Sequence, residues 1–319
     1  MSPTIAITGA TGFIGGALVN RLASTHLRIR ALVRPASIDK RQNHRELEWV
    51  TGDLDDTKSL RRLVDGVDAV VHCAGAVRGI TRMDFDDVNV GGVARLVQAA
   101  VAQHTPPRFL LLSSLAAREP HLSHYAASKR KGESALYDGV QMHWTIFRPP
   151  AVYGPGDREI LPLFQWMARG IAPLTGAADG RISLLYVADL AEAILAWLQC
   201  KTDLRRIYEL HDGHTGGYSW QDIIDTAERL AGRSIVRLKI PVACVRLAAS
   251  LNQAAARILG QSPMLTPGKV NELTHPDWVA DNRPFTRDAS WVPHILLEEG
   301  LARTIYKSKH PKEKKYHAD

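Results

Sequence analysis

Through its first half the chain alternates short apolar runs with longer runs of helical periodicity. The short runs are Thr4 to Ile7, Leu27 to Val33, Glu48 to Val50, Ala69 to Cys73, Arg108 to Leu112 and Met142 to Phe147, and they read as strands. The runs Ala17 to Leu22, Thr57 to Val64, Val88 to Gln103 and His124 to Tyr137 read as helices. Phe109-Leu110-Leu111-Leu112 is apolar throughout, as a strand covered on both faces should be. Strands that alternate with helices imply an α/β fold with a parallel, doubly wound sheet.

After Pro149-Pro150 the alternation weakens. Ile182 to Val187 is strand-like, Asp189 to Gln199 helical, and Ile207 to Leu210 a further short strand. Ser219 suits the N-cap of a helix from Trp220 to Leu230, and the remainder reads as mostly helical with proline breaks. The expected organisation is a first domain over residues 1–150, with 182–212 returning to its sheet. A smaller second domain takes 151–181 and 213–310, ahead of a basic tail, 311–319.

Composition narrows the class. The 319 residues are 45% hydrophobic, enough for a sizeable core. Met1-Ser2-Pro3 leads into the first strand, so no signal or transit peptide is expected. Pro241 to Gly260 is the longest apolar candidate for a membrane span, and Arg246 and Arg257 interrupt it. Cys73, Cys200 and Cys244 are too few and scattered for a disulfide framework or a zinc site, and suit a reducing cytoplasm. Much of the formal charge of +7 lies between Lys307 and Lys315, which reads as a solvated end or as a contact for an anionic surface. A small-molecule substrate is expected, with no metal and no nucleic acid; a homodimer is left open.

The first chemical signal is Thr8-Gly9-Ala10-Thr11-Gly12-Phe13-Ile14-Gly15, set between a strand and a helix. Gly9 can take the dihedrals of a tight turn. Gly12 has no side chain to keep a pyrophosphate from the backbone, and Gly15 lets the helix pack close to the strand. The free N–H groups and dipole of the helix start then face the phosphates. The spacing is GxxGxxG.

The second signal is Tyr125-Ala126-Ala127-Ser128-Lys129. Residues four apart share a helix face, and a nearby ammonium favours the phenolate. Free tyrosine titrates near 10, so bringing it to about 7 takes roughly 4 kcal/mol. Ser113-Ser114 stands at the end of the fifth strand, where ligands of open α/β sheets bind.

These segments, in this order, resemble the extended short-chain dehydrogenase/reductase family in its NAD-dependent epimerase/dehydratase branch. The resemblance takes in the glycine loop, Gly52-Asp53-Leu54, His72-Cys73-Ala74-Gly75, Val88-Asn89-Val90-Gly91, Ser113-Ser114, Tyr125 to Lys129 and Arg148 to Pro155. It continues through Val187 to Ala191, Trp291-Val292-Pro293 and Glu298 to Leu301. It implies a Rossmann-type domain with a smaller substrate domain. Tyr125 would be the general acid/base, Lys129 would lower its pKa and bind the nicotinamide ribose, and Ser114 would bond the substrate oxygen. Asp53 and Leu54 would hold the adenine. Gly9, Thr11, Gly12, Phe13, Ile14, Ala74, Gly75, Ala76, Pro149 and Val152 would complete the cofactor site, and Asn89 would bond backbone nearby.

Arg34 ends the second strand, where an acidic residue would hold the ribose of NAD, so an arginine favours NADP, with NAD the alternative. Lys40 and Arg41 are close by. Ala151 stands where sugar-nucleotide members often place Asn, and Tyr186 where many place His. Both point away from a nucleotide sugar, and Tyr153 and Tyr186 read as packing residues. Only ten residues separate Ser114 from Tyr125, which shortens one wall of the cleft. Val242 to Leu259 suits the roof of a hydrophobic pocket, ordinary core or a subunit contact. Three functions remain: an oxidoreductase interconverting a secondary alcohol and a ketone; a nucleotide-sugar epimerase or dehydratase with tightly held NAD; and a non-enzymatic NAD(P)-binding subunit. Intact Ser114, Tyr125 and Lys129 argue against the third.

Overall fold

A computed structural model describes residues 2–137, 141–177, 179–200, 202, 204–260 and 262–306. The basic tail, 311–319, lies outside the described residues. Seven strands form one parallel sheet in the spatial order Arg206–Glu209, Trp144–Arg148, Arg108–Leu112, Ala69–His72, Thr4–Thr8, Arg28–Val33 and Leu47–Thr51. The chain starts near the middle of the sheet, runs to one edge, and then returns past its start to the other edge.

Alternate side chains of each strand serve two separate cores. Ile5, Ile7, Leu110 and Leu112 point to the face covered by Phe13–Leu22 and Val187–Gln199. Ala6, Val70, Phe109 and Leu111 point to the face covered by Thr57–Val64, Val93–Val101 and His124–Tyr137. Apolar residues therefore follow one another without alternation, the pattern visible at 109–112.

A third core lies beyond the carboxyl ends of the strands, around Tyr153, Phe164, Met167, Leu184, Tyr186 and Ile223. Its small sheets depart from the sequence-based expectation. The strand expected over Ile182 to Val187 is split into Arg181–Ile182, in a three-stranded sheet, and Leu184–Tyr186, beside Ala151–Tyr153. The buried Ser183 makes the switch: its N–H donates to Trp278 and its hydroxyl accepts from the Ala280 N–H. The next helix then starts at Val187, two residues earlier than expected, and the buried Asp189 accepts from the His294 and Ile295 N–H groups. Val236–Lys239 pairs in parallel with Ile171–Leu174 where a mostly helical region was expected. The expected helix from Val88 opens as a π-helical turn, Asp87–Gly92, before Val93–Val101.

Among the described residues no helix is long and apolar enough to cross a membrane, and no group of His, Cys, Asp and Glu is placed to hold a metal ion.

Candidate active site

One cleft of about 1840 Å³ opens along the carboxyl ends of the strands. Gly9, Thr11, Gly12, Phe13, Ile14, Arg34, Asp53, Leu54, Ala74, Gly75, Ala76, Pro149 and Val152 all line it. Gly9 holds φ +72°, and a Cβ there would lie 2.7 Å from the Ala74 nitrogen. Glycine thus lets the turn rest on the backbone just past the fourth strand. A Cβ on Gly15 would fall 2.1 Å from the Gly9 oxygen, so the close approach it permits is of helix to turn rather than helix to strand. A Cβ on Gly12 would meet just the Gly9 oxygen, at 3.2 Å, on a side otherwise open. The helix starting at Phe13 has no side-chain cap and no acidic residue in its first turn. Its first N–H groups have no acceptor within the helix and point their partial positive charge into the cleft. This cradle fits the phosphates of a dinucleotide.

Asn89 pins the loop after the fourth strand. Its Oδ1 accepts from the Ala76 N–H at 2.9 Å, and its Nδ2 donates to the Ala76 carbonyl and to the Ser128 hydroxyl. It is buried and acts on backbone, the role expected of it.

The two serines divide the work at the end of the fifth strand. Both line the cleft, but the Ser113 hydroxyl is committed to the fully buried Glu133, to which it donates at 2.6 Å. Ser114 lines the cleft, accepts from the Ala116 N–H, and faces the Tyr125 hydroxyl. Tyr125 lines the cleft too, its ring edge-on to Phe85 with centroids 6.2 Å apart.

Lys129 sits differently from expectation. It is buried behind the wall, and its Nζ donates to the Leu112 carbonyl at 2.8 Å. Burial pushes its pKa down to about 8, with Glu133 and Cys73 pulling it back, so it remains an ammonium near neutral pH. Burial pushes the Tyr125 phenol above its ordinary range, and Ser114 opposes this. The main charges bearing on the phenol are Glu272, Lys269 and Glu159, where Lys129 was expected. The carbonyl of the strand end, a strong local acceptor, has claimed the ammonium.

Lys269 and Glu272 carry no sequence signal. They lie on Pro267–Thr274, which packs over the cleft from the far end of the chain. Lys269 Nζ is 3.0 Å from Glu272 Oε2, and Ser123 bonds the other carboxylate oxygen. Burial works against the Lys269 charge, yet Glu272 holds it above its ordinary range. Around this pair the wall is largely apolar, with Leu163, Trp166, Leu174, Trp220, Met264 and Leu273. Of the stretch expected as a roof, Val245 lines the cleft; Ala249 and Ala256 are buried, and most of the helix is exposed. Tyr153 and Tyr186 pack edge to face in the third core, as expected of them.

The model of the NAD-dependent epimerase/dehydratase family matches residues 5–210. The chain belongs to that family. With it the chain joins the extended short-chain dehydrogenases/reductases, which are NAD(P)-dependent enzymes. It is similar to a ceramide reductase of Caulobacter vibrioides, 38% identical over 94% of this chain and 93% of the relative. It is also similar to a UDP-glucose 4-epimerase of Vibrio cholerae, 24% identical over 95% of each chain. Among solved structures, a UDP-glucuronic acid 4-epimerase of Bacillus cereus with NAD superposes with a TM-score of 0.72 at 18% identity. That match covers 94% of this chain and 97% of the other, and it speaks for the fold alone. For this extended dehydrogenase/reductase, the expected cofactor residues thus lie together along one cleft wall, Ser114 and Tyr125 face each other in it, and Lys129 stands behind.

Proposed function

We propose that this enzyme reduces the ketone of a long-chain, lipid-type substrate to a secondary alcohol. The observation that carries this reading is the position of Ser114 and Tyr125. They stand between a dinucleotide cradle and a wall of indole and aliphatic side chains, with one ion pair, Lys269–Glu272, beside them. Apolar wall suits acyl chains. The ion pair suits a polar head with amide or hydroxyl groups. The ceramide reductase relative fits the same substrate class. Reduced nicotinamide supplies the hydride when bound. Ser114 holds the carbonyl oxygen, and Tyr125 gives its proton to that oxygen as the carbon is reduced. The Lys269 ammonium favours the phenolate left behind, and Glu272 and Glu159 work against it.

The test is cofactor consumption by the purified protein with a panel of a long-chain N-acyl amino ketone, a short-chain ketone and UDP-glucose. Oxidation of NADPH is expected with the long-chain ketone. Epimerisation of UDP-glucose without net consumption of cofactor, and no turnover of any ketone, would replace this reading with the nucleotide-sugar one.

The cofactor is read as NADP. Arg34 and Lys40 both line the cleft at the end of the second strand, and a guanidinium can bond a 2′-phosphate bidentately. Arg34→Asp is expected to weaken NADPH more than NADH in fluorescence titrations. Equal losses for both would show that Arg34 does not read the ribose.

A further inference from the structure

We propose that the helix Val242–Leu259 docks this enzyme on the surface of an anionic phospholipid bilayer. The helix is 18 residues long, yet Ala249 and Ala256 are its sole buried residues. Its outward stripe, at helical spacing, is Cys244, Leu247, Ala248, Leu251, Ala255 and Ile258, all exposed and none polar. Leu251 is 64% exposed and Ile258 86%. The polar stripe Arg246, Ser250, Gln253 and Arg257 runs along a different line of the helix, and two of its members bond the body of the protein. Gln253 donates to the Ile80 carbonyl at 3.1 Å, and Arg246 to Asn271 at 3.4 Å. A helix on a water-facing surface has the opposite arrangement, with its apolar side inward. Contiguous exposed apolar surface of this kind marks an interaction site.

Charge selects the occupant. From Arg233 to Lys269 the chain carries six Lys and Arg and no Asp or Glu, and two of the six, Arg237 and Lys269, pair with Asp225 and Glu272 outside that stretch. Arg233, Lys239, Arg246 and Arg257 are all exposed. Val236, 68% exposed, and Leu238, 52% exposed, lie on the strand Val236–Lys239 just before the helix. Apolar side chains flanked by exposed cations are what an anionic headgroup layer over hydrocarbon accepts.

The position of the helix connects docking to the cleft. Ile240 and Val245 at its start and Met264 and Leu265 just past its end all line the cleft. An acyl chain can pass between bilayer and cleft along this border without crossing water. Docking itself does not depend on the substrate reading, and the test contains no substrate.

The test is flotation of the full-length protein with vesicles. Binding is expected to phosphatidylglycerol vesicles, weaker binding to phosphatidylcholine, and a decline as salt is raised. Leu251→Glu with Ile258→Glu should lower the apparent vesicle affinity at least about tenfold, since two large side chains then stop leaving water. Cofactor affinity and melting temperature of that variant should match the parent. Vesicle binding that survives the double variant and instead follows neutralisation of Lys312, Lys314 and Lys315 would overturn the proposal. So would a dimer in sedimentation velocity that the double variant converts to monomer, with no vesicle binding by the parent. That result would make the helix a subunit contact.

Discussion

Tyr125→Phe is expected to lower turnover of a ketone substrate by about 10²–10⁴, with cofactor affinity nearly unchanged. The ring survives the substitution and so does its edge-on packing against Phe85. What is lost is the one transferable proton that faces Ser114 in the cleft. Burial holds the Tyr125 phenol above its ordinary range, which keeps it protonated at neutral pH and ready to donate. The proton that reduction requires is therefore in place at neutral pH. The reverse reaction, which needs the phenolate, should gain as pH rises. Lys129→Met should behave differently from Tyr125→Phe, because the lysine stands behind Gly75 and bonds Leu112, and its loss should also loosen that wall. Single-turnover kinetics with NADPH would separate the two variants. A ketone reduced as fast by Tyr125→Phe as by the parent would remove Tyr125 from the mechanism.

The second large effect is on stability. Arg148→Leu is expected to destabilise the fold by about 3–5 kcal/mol. Glu133 is fully buried between the helix His124–Tyr137 and the sheet. Arg148, on the sixth strand, grips both its oxygens, Nε to Oε1 at 2.8 Å and Nη2 to Oε2 at 2.5 Å. Ser113 supplies a further bond. Removing the guanidinium strands a carboxylate among apolar neighbours. Arg130 is 3.5 Å from Glu133 Oε2 and partly exposed, so its charge compensates in part and favours the lower end of that range. Adding Glu133→Leu to Arg148→Leu should recover much of the loss, because the desolvated charge is then gone. Urea unfolding checks both. A midpoint for Arg148→Leu equal to the parent's would show that the pair does not hold the helix to the sheet. The helix in question carries Tyr125 and Lys129, so the same pair positions the candidate catalytic residues.

Local signals were enough for the sheet and for one wall of the cleft. Ile5, Ile7 and Leu110 to Leu112 are apolar without alternation because helices cover both faces of a parallel sheet, and that composition is visible in any short window. Gly9, Gly12 and Gly15 follow one strand and open one helix, so their spacing in that context marks a turn and helix start that fit phosphates. The family resemblance singles out Ser114 over Ser113, and the physical reason emerges in three dimensions, where the Ser113 hydroxyl donates to the buried Glu133.

What the linear pattern could not carry is whatever depends on segments far apart in the chain. Lys269 and Glu272 reach Tyr125 across more than a hundred residues, and nothing in their own neighbourhood marks them. Lys129 is four residues from Tyr125 on one helix, yet its ammonium is held by a carbonyl of another element, a choice that hydrogen-bond geometry makes after the strand and helix have packed. Val242 to Leu259 is apolar enough for core, roof or contact, and periodicity treats the three alike. Burial depends on what packs against a helix, and here the neighbours cover Ala249 and Ala256 while leaving Leu251 and Ile258 in the open. Short-range propensity and periodicity thus set the elements and their order, while long-range packing decided which charges meet at the site and which apolar face stayed outside.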